Sequence, residues 1–207
     1  MIVGIDSSNN KSLVCVVFGS NENIHNTYIS LCNLFKKYDW EPPLHWKKLS
    51  SKIKKSLASP TADILNKSEL KIWIFRTVKP MGEKTKEYYL RRVPNKIAYS
   101  LELLVASSAG VLQIQADKDF EITKTRGTRD FLKYLVRQLA CRIYGSYIPI
   151  LESSGSVSAD VKIKDLTLKI IATDVLSENS KAVQIADIIL GIYKVNKKNL
   201  RFREIAV

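Results

Sequence analysis

A chain of 207 residues and 23.5 kDa has the length of one ordinary domain. With 45% hydrophobic and 26% charged residues it can bury a core, which excludes a disordered tail or a stapled peptide and argues against a large two-lobed enzyme. Thirty-three Lys and Arg against twenty Asp and Glu give a net charge of +13, so a polyanion, nucleic acid first, is the partner that composition suggests. A lysine-rich surface serving only solubility is the competing explanation. Cys15, Cys32 and Cys141 are odd in number and far apart, with no Cys-x-x-Cys pair, which points to a reducing, cytoplasmic compartment. The sequence opens directly on Ile2-Val3-Gly4-Ile5-Asp6, without a basic stretch and cleavable apolar segment. Its strongest late apolar run, 183–193, is interrupted by Gln184 and Asp187 and is too short to span a bilayer. A soluble protein is expected.

Residues 2–6 and 12–18 are apolar, β-branched runs around Ser7-Ser8-Asn9-Asn10 and predict a strand, a turn and a second strand. Between 28 and 38, Tyr28, Leu31, Phe35 and Tyr38 recur at helical spacing until Pro42-Pro43. Trp46, Leu49, Ile53 and Leu57 then step by three and four, with Lys47, Lys48, Lys54 and Lys55 on other faces, which makes a basic amphipathic helix. These elements form a basic helical insertion around 28–68. Residues 70–78 read as a third strand, and 79–94, with Pro80-Met81-Gly82 and Arg91-Arg92, as a loop or short helix. A firmer helix runs from 95 to about 108 and stops at Gly110. Residues 111–116 predict a strand running into Asp117-Lys118-Asp119. From about Thr128 a helix turns Leu132, Leu135, Leu139 and Ile143 inward and carries Arg126, Arg129, Lys133 and Arg137 on another face. Residues 153–158 read as a flexible Gly/Ser loop, 160–163 and 166–172 as strands, and 181–193 as a last helix. The order predicts an α/β domain with a mixed sheet, because the opening hairpin is antiparallel.

Most familiar sites are missing. The chain has no Gly-x-x-x-x-Gly-Lys-Ser/Thr or Gly-x-Gly-x-x-Gly loop and no Gly-x-Ser-x-Gly elbow. Its two histidines, His25 and His45, lack partners at zinc spacing. Carboxylates in unusual places remain. Asp6 ends the first strand and Asp117 a later one; each, like Asp119, is also explained as a turn or cap residue. Asp187 lies deep in an apolar helix, where an unpaired buried carboxylate costs several kcal/mol or takes up a proton. Gln184 and Gly191, at i−3 and i+4, extend a narrow polar stripe from it. Glu102 poses the same question on another helix, and a solvated helix surface explains it equally well. Hard oxygen ligands without His or Cys suit Mg²⁺ or Mn²⁺, and two such ions roughly 3.5–4 Å apart activate water against a phosphodiester.

The combination of Ile2-Val3-Gly4-Ile5-Asp6 before a hairpin, Asp117 after a later strand and Asp187 in the last helix resembles the ribonuclease-H-like superfamily. Within it the chain is most similar to the group catalogued as domain of unknown function 3800, whose members close with Gln-Leu-Ala-Asp-Leu-Ile-x-Gly. Here that segment stands as Gln184-Ile185-Ala186-Asp187-Ile188-Ile189-Leu190-Gly191, preceded by Ser177 and Ser180, and Leu44-His45-Trp46-Lys47 resembles the group's His-containing segment. The likeness spans nearly the whole chain on short motifs. It departs after the first strand, where the group often has Asp-Glu-Ser and this chain has Asp6-Ser7-Ser8; Glu102 or Asp174 supplies the missing acid, or the site holds one metal or is inactive.

The resemblance implies one ribonuclease-H-like domain over 1–207, a five-stranded mixed sheet with helices on both faces. The first strand and the strand ending at Asp117 would lie side by side, and the last helix would bring Asp187 to the same edge. A metal-dependent nuclease is the leading expectation, with Asp6, Asp117, Asp187 and Glu102 on Mg²⁺ or Mn²⁺. Lys47, Lys48, Arg91, Arg92, Arg126, Arg129, Lys133 and Arg137 are candidate phosphate contacts, although each also fits a solvated surface. A nucleic-acid-binding module with a degenerate site is the alternative. An actin-like kinase also opens on Gly4-Ile5-Asp6-Ser7, but the chain is short for two lobes.

Overall fold

The computed structural model describes residues 1–8, 12–76, 83–106, 108–118 and 127–207, the side chains of 83–90 excepted. The opening apolar runs form an antiparallel hairpin, β1 (Ile2–Ser7) and β2 (Leu13–Gly19), with Asp6 opposite Cys15. β3 (Lys71–Arg76) continues antiparallel on β2. On the other side of β1, β4 (Gly110–Asp117) runs parallel to it. The helices α1 (Asn21–Lys36) and α2 (Ser51–Lys67) separate β2 from β3. α3 (Glu83–Val105) leads into β4 and α4 (Thr128–Tyr144) follows it.

A hairpin of β5 (Leu151–Ser153) and β6 (Ser156–Ile163) comes next, then β7 (Leu166–Val175), antiparallel to β6 and parallel to β4. α5 (Lys181–Asn196) and an edge strand β8 (Arg203–Ala206), parallel to β3, close the chain. The sheet order is β5-β6-β7-β4-β1-β2-β3-β8.

The mixed sheet is therefore present, but it has eight strands where five were expected. β5 and β8 are short and mostly exposed, so they lack the alternation that marks a half-buried strand. The stretch 153–158 is not a flexible loop. Gly155, at φ 85°, makes a two-residue turn, and Ser156 to Ser158 already pair with β7. Two helices begin earlier than their periodicity suggests. α1 starts at Asn21 because the Ser20 hydroxyl accepts the Asn23 N–H, and α3 starts at Glu83 and continues through Pro94. The expected helix from Trp46 is a single 3-10 turn at Trp46–Lys48, followed by α2, which Ser50 caps.

Strand alternation sends side chains to two cores. Val3, Ile5, Leu112, Ile114 and Ala116 face α3 and α4. Cys15, Val17, Ile72 and Ile74 face α1, α2 and α5. No described helix is long and apolar enough to cross a membrane.

The helix on the second face sits unusually close to the sheet. A Cβ at Gly4 would stand 2.4 Å from the carbonyl carbon and oxygen of Ala182, so glycine is what allows α5 to lie on β1. Gly4→Ala is expected to destabilise the protein by about 1–3 kcal/mol through overpacking, read as a lower urea midpoint with an unchanged slope. An unchanged midpoint would mean that the helix is not held at this crossing.

Candidate active site at the end of the central strands

The parallel register pairs Ile5 with Ala116, so Asp6 and Asp117 are the next residues along adjacent strands. Because Ile5 and Ala116 face α3 and α4, the two acids turn to the opposite side, toward α5. Neighbouring strands lie about 4.8 Å apart, which sets these carboxylates side by side. α5 is anchored over them at its first turn. The Ser180 hydroxyl accepts the Val183 N–H and donates to Gln115 Oε1 at 2.7 Å, tying the helix to β4.

Asp6 and Asp187 are both buried, at 2% and 5% exposure. Asp6 Oδ1 accepts the Ser7 N–H at 2.8 Å, so the turn-forming explanation accounts for one of its oxygens. Asp6 Oδ2 is buried without a hydrogen-bond partner. Burial first, then the negative charge of Asp187, raises the Asp6 carboxyl well above the ordinary range; Lys47 opposes the shift and Asp117 adds to it. Asp187 and Asp117 thus both act electrostatically on Asp6 at one end of the sheet. Cys15, across from Asp6, has its thiol pushed up by burial and then by Asp6 and Asp187, so it stays protonated.

The polar stripe on α5 has a structural partner that the sequence did not reveal. Gln184 Oε1 accepts the Leu44 N–H at 2.7 Å and the Tyr28 hydroxyl at 2.8 Å, while its amide donates to the Glu178 carbonyl. Asp187 Oδ2 accepts the Trp46 N–H at 3.0 Å, and Asp187 Oδ1 faces the Lys47 ammonium at 3.8 Å. At Gly191 a Cβ would fall 1.9 Å from the Trp46 indole. Gln184, Asp187 and Gly191 therefore seat the segment Leu44-His45-Trp46-Lys47 against α5. The signal was the i−3, i, i+4 spacing itself, which marks one face of a helix.

Other expected site residues lie elsewhere. Glu102 does not join the cluster: α3 is on the opposite face of the sheet, and Glu102 pairs there with Arg142 at 3.4 Å. Asp174 pairs with Ala116 and continues the face of Leu168, Ile170 and Ala172, so it also turns away. Asp119 and Arg126 are outside the described residues. Lys47 stands beside Asp187 in the 3-10 turn and Lys48, the next residue of that turn, is exposed, as are Arg91 and Arg92 on α3. In α4, Arg129 donates to the Ser153 carbonyl at 2.6 Å and Lys133 pairs with Glu152 at 2.5 Å. Arg137 is half-buried with its Nε unpartnered.

Among the described residues, no group of three His, Cys, Asp or Glu side chains is arranged to hold a metal ion. No family model, curated protein or solved structure matches the chain.

Two outcomes are expected of this geometry. With divalent cations chelated, Asp6→Asn should stabilise the protein at pH 7. In the wild type the unfolded carboxyl ionises near its ordinary 3.8 while the folded one resists, so stability falls as pH rises from that value through the folded pKa. The gain from Asn should vanish below about pH 3.8, and melting curves across pH read it directly. Asp187→Ala leaves the Trp46 N–H buried and unpaired and should cost about 1–3 kcal/mol in urea denaturation, whereas Asp187→Asn keeps an acceptor and should cost less.

Proposed function

We propose that the chain is a divalent-metal-dependent nuclease with a ribonuclease-H-like core, acting on DNA or RNA in the cytoplasm. The observation that carries this reading is the buried Asp6 carboxylate, with one oxygen unpartnered and its pKa raised first by burial and then by Asp187 and Asp117. Burying like charges together is unfavourable, and a hard cation among them turns the repulsion into attraction. The five central strands support the fold assignment: β3, β2 and β1 antiparallel, then β4 and β7 parallel to β1.

Asp6, Asp187 and Asp117 fit Mg²⁺ or Mn²⁺ by donor chemistry, since all are hard carboxylate oxygens and Asp6 Oδ2 has no other partner. Held there, such an ion would supply Lewis acidity toward water and toward the departing oxygen of a phosphodiester. The chain's own part is to hold the acids. β1 and β4 fix Asp6 and Asp117 by register, the Trp46 N–H orients Asp187, and the Lys47 ammonium offsets part of the negative charge. Cys15, Cys32 and Cys141 are free thiols, consistent with a reducing compartment.

A second reading, a nucleic-acid-binding protein with a degenerate site, is favoured by one feature. Asp187 already has both oxygens engaged, by Trp46 and Lys47, and Ser7-Ser8 stands where a further acid would follow Asp6.

The test is cleavage of labelled single-stranded, duplex and hybrid oligonucleotides in Mg²⁺ or Mn²⁺. Asp6→Asn and Asp187→Asn should each lower cleavage at least about 100-fold, as loss of a group that stabilises developing charge does, while still unfolding in one cooperative transition. Metal-dependent cleavage that survives both substitutions overturns the proposal. Salt-sensitive binding without any product supports the degenerate-site reading.

A further inference from the structure

We infer that a lysine-walled cleft beside the acid pair is a phosphate pocket that grips the sugar–phosphate backbone of a nucleic-acid strand, with Lys54 and Lys194 as binding residues. The inference rests on the nucleic-acid reading above and names the part of the ligand that the site takes. The cleft encloses about 190 Å³ and is lined by Ser7, Ser8, Lys47, Lys54, Asp187 and Lys194, over a wall from Trp46 and Leu190. That volume is below the roughly 300–1,000 Å³ of pockets for whole small molecules, so it admits a group of phosphate size rather than a complete nucleotide.

Charge identifies the group. Three lysines and one aspartate are among the residues that line this small volume, so its charged residues are net positive although it adjoins the acid cluster. Crowded like charges are relieved by an anion, and Lys binds phosphate as a point charge. Two of the lysine ammonium groups have a fixed partner. Lys47 follows the seated Trp46 and faces Asp187 Oδ1 at 3.8 Å. Lys54, half-buried on α2, donates one of its protons to the Lys47 carbonyl at 3.3 Å. Lys194 lies seven residues after Asp187, two helical turns along the same face of α5. Asp187 repels an anion, so the phosphate sits on the lysine side, with Lys47 between it and the acids. A strand held there runs alongside Asp6 and Asp187.

The test compares Lys54→Gln/Lys194→Gln with a control, Lys162→Gln/Lys169→Gln, in the full chain. The control removes the same charge from exposed positions on β6 and near the start of β7, away from the Asp117 end of the sheet. With EDTA present to prevent cleavage, anisotropy of a labelled single-stranded oligonucleotide is followed against salt. The pocket variant should bind at least about tenfold more weakly, and its log K against log salt slope should flatten by about 0.7 for each phosphate no longer held. Lys54→Arg/Lys194→Arg should restore binding, which separates lost charge from lost folding. Titration with inorganic phosphate supplies the second arm. Phosphate bound through the lysines, with oligonucleotide binding untouched, assigns the pocket to a free anion and overturns the backbone assignment. Equal effects of pocket and control variants overturn it as well. Cleavage in Mn²⁺ is read separately: no product with lysine-dependent binding intact fails the nuclease reading alone, and cleavage with no pocket effect fails the inference alone.

Discussion

The backbone of α5 rests directly on the backbone of β1, at the crossing of Ala182 over Gly4, and the site depends on that close approach. From Ala182 to Asp187 a helix advances about 7.5 Å, and from Gly4 to Asp6 a strand advances about 6.8 Å. The matched rises carry Asp187 to the level of Asp6. A side chain at position 4 would lift the helix and open the gap to solvent. The Ser180–Gln115 hydrogen bond fixes the start of the helix over β4, so it cannot swing away from Asp117.

Once brought together, the acids are only partly compensated. Each buried carboxylate has one backbone N–H, Ser7 for Asp6 and Trp46 for Asp187, and they share the influence of one ammonium, Lys47. That ammonium is half-exposed, and an ion pair at 3.8 Å so close to water adds little to stability. Asp6 therefore bears the strain as a raised pKa. Asp187 differs, because its backbone partner belongs to a segment distant in sequence. It is a structural acceptor and a charge at once, and only a substitution that keeps the acceptor separates the two roles.

The central hairpin, the strand ending at Asp117 and the apolar last helix were legible because their alternation or apolar content is strong. The convergence of Asp6 and Asp117 was not written in spacing; it needs the parallel register of β1 with β4, a pairing between residues more than 100 positions apart. Gln184 was visible as an anomaly, but its role was hidden, since its partners Tyr28 and Leu44 are also distant. Glu102 misled for the opposite reason. Its apolar neighbours in sequence bury the other side of α3, leaving Glu102 part-exposed to meet Arg142. Lys194 was within reach of the helical period, two turns beyond Asp187, yet an exposed lysine at a helix end is ordinary. β5 and β8 carried no signal, being short edge strands.

The basic residues also divide by face. On α4, Lys133 first and then Arg129 and Arg137 hold the Glu152 carboxyl below its usual range. Arg129 further binds the Ser153 carbonyl, so Arg129 and Lys133 of that stripe fasten the β5–β6 hairpin to the helix. Arg142 is likewise committed, to Glu102 and Asn95, with Tyr99 under its guanidinium. Around α5, Lys47, Lys54 and Lys194 line one cleft with Asp187 as the acid in its wall, Lys47 facing that acid and Lys54 donating to the Lys47 carbonyl. The same helix that brings the carboxylates together thus also carries Lys194, part of the basic wall of the cleft.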